Sequence, residues 1–423
     1  MQKKETNYYA IVIIGILFFV FGFVTWLNGA LIQFLKLVCE LENDTQAFFV
    51  TFAFYIAYFF LAIPSSIILK KTGFKNGMAL GLVVIAAGSL IFIPAANARN
   101  FGLFLTGLFI QGTGLALLQT ASNPYISIVG PIESAAKRIS IMGICNKIAG
   151  MLSPLILASL ILKNATAIET EVSKTTDPVL KAQLLDQLAV KVIPPYIVLA
   201  VILVLLAFMI KRSKLPEINI DEDQPLENNT AVVKTSVFQY KHLMLGVLCL
   251  FLYVGVEVMA GDAIGAYGRE LGIPLDETKF FTTYTLLAML LGYIIGIICI
   301  PKYLSQQNAL AVSAILGATF SICVFATGGY TAIIFIALLG LSNALMWPAI
   351  FPLAIAGLGK FTKIGSALLI MGIVGGAIFP MLYTVLKDKN IASNHTAFLI
   401  CMLPAYLYIL YYAVRGYSAG KAK

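Results

Sequence analysis

Apolar residues along this chain gather into runs near twenty residues long, broken by clusters of charge, Gly, Pro or Asn. A run of that length crosses roughly 30 Å of hydrocarbon as a helix. Twelve such runs stand out, at about 8–35, 47–69, 76–97, 101–129, 138–162, 193–211, 243–267, 280–301, 308–327, 330–357, 362–386 and 395–414. The pattern predicts an all-α membrane protein with twelve transmembrane helices. The first run follows Lys3 and Lys4 as the core of a signal peptide would. It continues well past that length, however, and no small-residue cleavage site follows, so it is expected to be the first span.

The chain of 423 residues is 60% hydrophobic, 12% charged and carries a net charge of +9. In a membrane protein the useful question is where those cations fall. With the N-terminus in the cytoplasm, eighteen of the 29 Lys and Arg lie inside, among them Lys70, Lys71, Lys75, Lys211, Arg212 and Lys214, and ten lie outside. The bias predicts a multi-pass protein of the inner membrane with both termini cytoplasmic, and explains the charge without a nucleic-acid partner. No catalytic constellation is present, so an enzyme is not expected. The six Cys lie in or beside predicted helices with no CxxC pair, which suggests neither a disulfide framework nor a zinc site. His242 and His395 fall at predicted membrane edges, are expected on the surface, and are too separated for a metal site. No GxxxxGK[ST] loop supports ATP as a driving force. No cofactor is expected.

Residues 211–242 are polar and too short for a domain, and read as a cytoplasmic linker between two six-helix bundles, 1–210 and 243–423. Weak internal matches support a duplication. FGFVTWLNGAL (21–31) lies over VGVEVMAGDAI (254–264), pairing Gly22 with Gly255, Ala30 with Ala263 and, at the same offset, Gly29 with Asp262. GTGLALLQTASNP (112–124) lies over GLSNALMWPAIFP (340–352), and GMLSP (150–154) over GAIFP (376–380). Matches in the same order at slowly changing offsets favour parallel repeats about an axis along the membrane normal, the plan of the major facilitator superfamily. SIILKKTGFKNG (66–77) resembles that superfamily's short basic loop, with Lys70 where an acidic residue is usual.

In such a fold, polar side chains at membrane depth must face a cavity or one another, because lipid cannot satisfy them. Thr25 and Asn28 lie in the first predicted span, and Gln119 and Asn123, four apart, share a face of the fourth. Asn146 and Lys147 lie in the fifth, and Asn343 and Trp347, again four apart, in the tenth. An aromatic plane with amides around it suits a sugar, whose C–H faces stack on the ring while its hydroxyls bond to groups that donate and accept. Asn28, Gln119, Asn123, Asn146, Asn343 and Trp347 are therefore the candidate substrate-binding residues.

The seventh span carries two carboxylates, Glu257 and Asp262, five residues apart and so separated by about 140° around a helix. A charge at the bilayer centre costs at least ~2.5 kcal/mol, so each needs a partner, and Lys147 is the one cation predicted in the membrane interior. Asp262, Glu257 and Lys147 are the candidate coupling residues: Lys147 is expected to pair with one carboxylate and release it to a cation in another conformation. Gly261 is expected to let the helix unwind and bare carbonyls beside Asp262, a candidate site for Na⁺; a carboxylate in a changing dielectric would equally suit H⁺.

FGFVTWLNGALIQFLK, LLQTASNPYISIVGP, RISIMGICNKIAG and FLYVGVEVMAGD resemble the fucose–galactose–glucose symporter family. The resemblance implies a monomeric alternating-access transporter that carries a monosaccharide such as glucose or galactose inward with Na⁺ or H⁺. It leaves N-acetylglucosamine or fucose as alternative substrates, and a uniporter, an exporter or a sugar sensor as further alternatives. Fucose permease, a member of that family, has a first-span Asp that aligns with Gly29 and a fourth-span Glu that aligns with Gln119; its fifth-span amides align with Gly143 and Asn146. Both acids are missing here, which leaves Asp262 as the acid at that level of the repeat.

Overall fold

The computed structural model describes residues 8–129, 135–163, 165–215, 235–300 and 302–420. Lys3, Lys4 and most of the expected linker, residues 216–234, lie outside the described residues. Among the described residues, eleven helical stretches are long and apolar enough to cross a membrane. One of them, Phe49–Asn97, has 49 residues. At 1.5 Å per residue it would be more than twice as long as the hydrocarbon is thick. It is two spans in one, because Gly73 (φ 75°, ψ 170°) breaks the helix Phe49–Leu90 in the basic turn that the sequence places there. That backbone geometry is essentially open to glycine alone.

Counted this way the described residues hold twelve spans. The first span is Tyr8–Val38, the fourth Phe101–Ile126, the fifth Lys137–Ile161, and the sixth lies in Pro178–Arg212. The seventh is Lys241–Glu270, the eighth Leu275–Cys299, the ninth Gln306–Ala326, the tenth Gly329–Ile355, the eleventh Gly359–Asp388 and the twelfth Asn394–Val414. Several helices begin on side-chain caps: Asn100, Ser305 and Ser393 accept hydrogen bonds from the backbone N–H groups of Leu103, Asn308 and Thr396. Such caps satisfy donors that the first helical turn leaves unpaired.

Two glycines set how closely the spans approach. A Cβ on Gly22 would overlap the carbonyl of Asn146, and one on Gly255 would overlap the ring of Phe379. The first span thus lies tight against the fifth, and the seventh against the eleventh. Gly22 and Gly255 are the residues paired by the internal repeat; the first meets backbone and the second an aromatic ring. Large apolar side chains are exposed along the sixth and ninth spans, among them Val201, Leu205, Phe208, Ile315, Ile322 and Phe325. An apolar outer surface of that kind faces lipid.

Two local expectations are corrected. His242, expected on the surface, is buried with Nε2 3.0 Å from the carbonyl of Ala356, whereas His395 is only half-buried, its Nδ1 2.6 Å from the hydroxyl of Tyr267. Each imidazole is a packing and hydrogen-bonding group between spans. The seventh helix runs unbroken through Gly261 from Lys241 to Glu270, so the expected unwinding is absent. The first span joins two helices, Tyr8–Trp26 and Asn28–Val38, through Leu27, whose backbone stays helical (φ −62°, ψ −28°).

Candidate functional site

A cavity with about 680 Å³ of empty space, counting its mouth, lies between the first six spans and the last six. Its wall on one side carries Thr25, Trp26, Tyr58, Gln119, Asn123, Asn146 and Lys147. Tyr253, Glu257, Tyr293 and Trp347 face them from the other. Of the residues expected to contact substrate, Gln119, Asn123, Asn146 and Trp347 line this space; Asn28 and Asn343 do not.

The amides are held in place by bonds to the wall. Gln119 Nε2 donates to the hydroxyl of Tyr58 at 3.0 Å, and Asn123 Nδ2 donates to the carbonyl of Gln119 at 3.0 Å. Trp26 Nε1 donates to Asn146 Oδ1 at 3.3 Å. Asn343 is fully buried and accepts from the hydroxyl of Tyr406 at 2.8 Å. It does not line the cavity beside Trp347; two residues, Ala344 and Leu345, separate the helices Gly329–Asn343 and Met346–Ile355. Pro348 has no N–H for the carbonyl of Ala344, which accounts for the break. Asn28 is 1% exposed and does not line the cavity.

Sequence reasoning missed Trp26, Tyr58, Tyr253 and Tyr293. Aromatic residues in apolar runs carry no polar signal, and only the meeting of four spans shows that these rings form the walls.

Lys147 Nζ lies 2.9 Å from Glu257 Oε1, a direct ion pair joining the fifth span to the seventh, and 4.3 Å from the centroid of the Trp26 ring. Of the two carboxylates, therefore, Lys147 takes Glu257. Asp262 is 2% exposed, and neither carboxylate oxygen has a hydrogen-bond partner. A Cβ on Gly29 would stand 3.5 Å from Asp262 Oδ1. The residues paired by the repeat thus meet across the interface. The carbonyls beside the carboxylate are already engaged: the Thr282 hydroxyl donates to Gly261 O and the Thr285 hydroxyl to Ala260 O, each at 2.8 Å. Among the described residues no group of three or more His, Cys, Asp or Glu could hold a metal ion.

On the face away from the two termini the halves are latched. Lys387, at the end of the eleventh span, pairs with Asp44, in the turn after the first span, and with Glu270 at 2.8 Å. Lys36 also binds Asp44. Thr45 donates to Asp388 from its backbone N–H at 2.8 Å and from its hydroxyl at 2.7 Å. Burial pushes the Asp44 carboxyl up, but Lys387 and Lys36 outweigh it and hold the group below the ordinary carboxylate value of 3.8.

A carboxyl with a lowered folded value contributes stability that is present above its unfolded value and lost as pH falls through the folded one. Thermal unfolding in detergent as a function of pH should therefore show a loss of stability below the ordinary carboxylate range. Asp44→Asn should be less stable at neutral pH and lack that part of the acid loss; an unchanged acid profile would contradict the latch. For the central pair, Lys147→Met or Glu257→Gln alone leaves a buried group uncompensated, at a cost of about 3–5 kcal/mol. The double variant Lys147→Met with Glu257→Gln should melt above either single one, and additive losses would count against a buried pair.

A profile of the Major Facilitator Superfamily matches residues 14–380. The chain is 34% identical to a glucose/galactose transporter of Brucella abortus over 418 residues, covering 98% of this chain and 96% of that one. It is 30% identical to the L-fucose-proton symporter of Escherichia coli over 365 residues, covering 86% and 83% of the two chains. The crystal structure of the major facilitator transporter FucP in the outward conformation superposes with a TM-score of 0.77 at 28% identity, covering 95% of this chain and 97% of that one. This multi-pass membrane protein, no enzyme, belongs to the major facilitator superfamily and, within it, to the fucose–galactose–glucose symporter family.

Proposed function

We propose that the protein is a secondary-active symporter that brings a monosaccharide into the cell with a cation by alternating access. The observation that carries this reading is the cavity itself: amides of Gln119, Asn123 and Asn146 and the ring of Trp347 stand around one space, crossed by the Lys147–Glu257 pair. Amides that both donate and accept suit a neutral polyol, and an indole suits the C–H face of a sugar ring. The relatives named for glucose and galactose favour those hexoses. L-fucose is the second candidate, since the symporters of Escherichia coli and Haemophilus influenzae that the chain resembles are named for it. N-acetylglucosamine remains to be tested beside them.

The coupling cation in this reading is H⁺, carried by Asp262. A buried carboxylate without hydrogen-bond partners is compensated most simply by one proton, whereas Na⁺ needs several oxygens and the nearest carbonyls are engaged by Thr282 and Thr285. The relatives named as proton symporters favour the same ion. The excess of Lys and Arg on the terminal side supports an inner-membrane protein with both termini cytoplasmic, and the latched face would then be the outer one. Residues 1–210 and 243–423 would rock as two bundles joined by 211–242, with the latch opening as the inner side closes.

The purified protein in proteoliposomes, with an imposed H⁺ or Na⁺ gradient and labelled glucose, galactose, L-fucose or N-acetylglucosamine outside, tests this. A proton gradient should drive accumulation of at least one of these sugars, and Asp262→Asn should abolish it. Accumulation driven by Na⁺ alone would overturn the assignment of the ion, and failure of every gradient with every sugar would overturn symport.

A further inference from the structure

Trp26 packs at the cavity wall against Gly261, the residue that precedes Asp262. Its ring lines the cavity, yet the residue is only 2% exposed, because the indole is sunk into a notch made by two glycines. A Cβ on Gly150 of the fifth span or on Gly261 of the seventh would overlap the ring. Leu286 and Met289 of the eighth span close around it. Along the seventh helix, Glu257 faces the cavity, Gly261 lies one turn further and takes the indole, and Asp262 follows. The two carboxylates are thus offset by about 7.5 Å along the axis, five residues at 1.5 Å each, with the indole at the level between them. The other edge of the same ring bonds Asn146, and its face carries the ammonium of Lys147.

We propose that Trp26 is a movable partition that keeps the Asp262 proton out of the sugar cavity until the two halves rearrange. While the indole fills the Gly150–Gly261 notch, Lys147 is held beside Glu257 and no water path joins Asp262 to the cavity. Withdrawal of the ring opens that path. The Asp262 carboxyl then gives its proton to cavity water as hydronium, and the carboxylate left behind attracts Lys147. Trp26 acts through its neighbours and is a positioning residue for coupling. The inference rests on the reading of Asp262 as the proton carrier.

The test is proton flux into proteoliposomes that enclose a pH-sensitive dye, under an imposed gradient and without sugar. The wild type should be tight. Trp26→Ala should leak about tenfold faster, equivalent to ~1.4 kcal/mol removed from a barrier, and Asp262→Asn added to it should abolish the leak. Gly261→Ala keeps the indole but expels it from the notch, so it should leak in the same way even if Trp26→Ala fails to fold. The chain has two Trp. In a Trp347→Phe background, emission from Trp26 should therefore shift to the red on Gly261→Ala, which verifies the displacement. Tight vesicles with the ring displaced, or a leak that survives Asp262→Asn, would overturn the partition. If Asp262→Asn alone still accumulates sugar, the proton carrier has been misassigned and the partition falls with it. If Asp262→Asn alone abolishes accumulation while the ring-displaced variants stay tight, only the partition fails.

Discussion

An ammonium and a carboxylate at membrane depth cannot be left singly charged, and this constraint organises the centre of the protein. Lys147 and Glu257 come from spans separated by 110 residues in sequence and meet at 2.9 Å. Among the described residues neither has another ion pair. Because one belongs to the first six spans and the other to the last six, any motion that separates the halves at this level must find each of them a new partner. Asp262, a turn further along the same helix and without a hydrogen-bond partner, is a second place to which the cation of Lys147 could turn. The pair therefore ties the electrostatics of the cavity to the relative position of the two halves.

The constraint also explains why the polar groups lie in two layers. Around the cavity, amides and phenols hold one another in fixed orientations while leaving hydrogen-bonding capacity toward the space between them. At the face away from the termini, Lys36, Asp44, Glu270, Lys387 and Asp388 form a denser ionic layer that closes the halves together. A transporter of this plan needs one face closed while the other opens. An ionic latch suits that task because water can solvate its members once they part, which keeps the cost of opening small.

The number of spans was legible in the sequence because it follows from hydrophobic length alone. Even the merged helix Phe49–Leu90 divides at Gly73, inside the basic turn that the sequence marks. The candidate site was legible where a polar residue lies on an unbroken helix: Gln119, Asn123, Asn146 and Lys147 all reach the cavity. It was not legible where a polar residue packs against a neighbouring span instead. Asn28 and Asn343 are buried away from the cavity, Asn343 under the hydroxyl of Tyr406, and helical spacing alone does not report which neighbour a buried amide meets. Gly261 was misread for a related reason. A glycine beside an acid suggests a loosened backbone, whereas here it makes room for an indole that arrives from another span. That contact is tertiary, and nothing in the local sequence encodes it.

The central claim is that Asp262 carries the ion that powers accumulation while the sugar binds elsewhere. It is tested most directly by comparing entrance counterflow with uphill uptake in the Asp262→Asn protein. Exchange of labelled for unlabelled sugar across the vesicle needs binding and alternating access but no net ion movement. Counterflow near the wild-type rate with uphill uptake lost would be the result predicted here. Loss of both together, or retention of both, would contradict it.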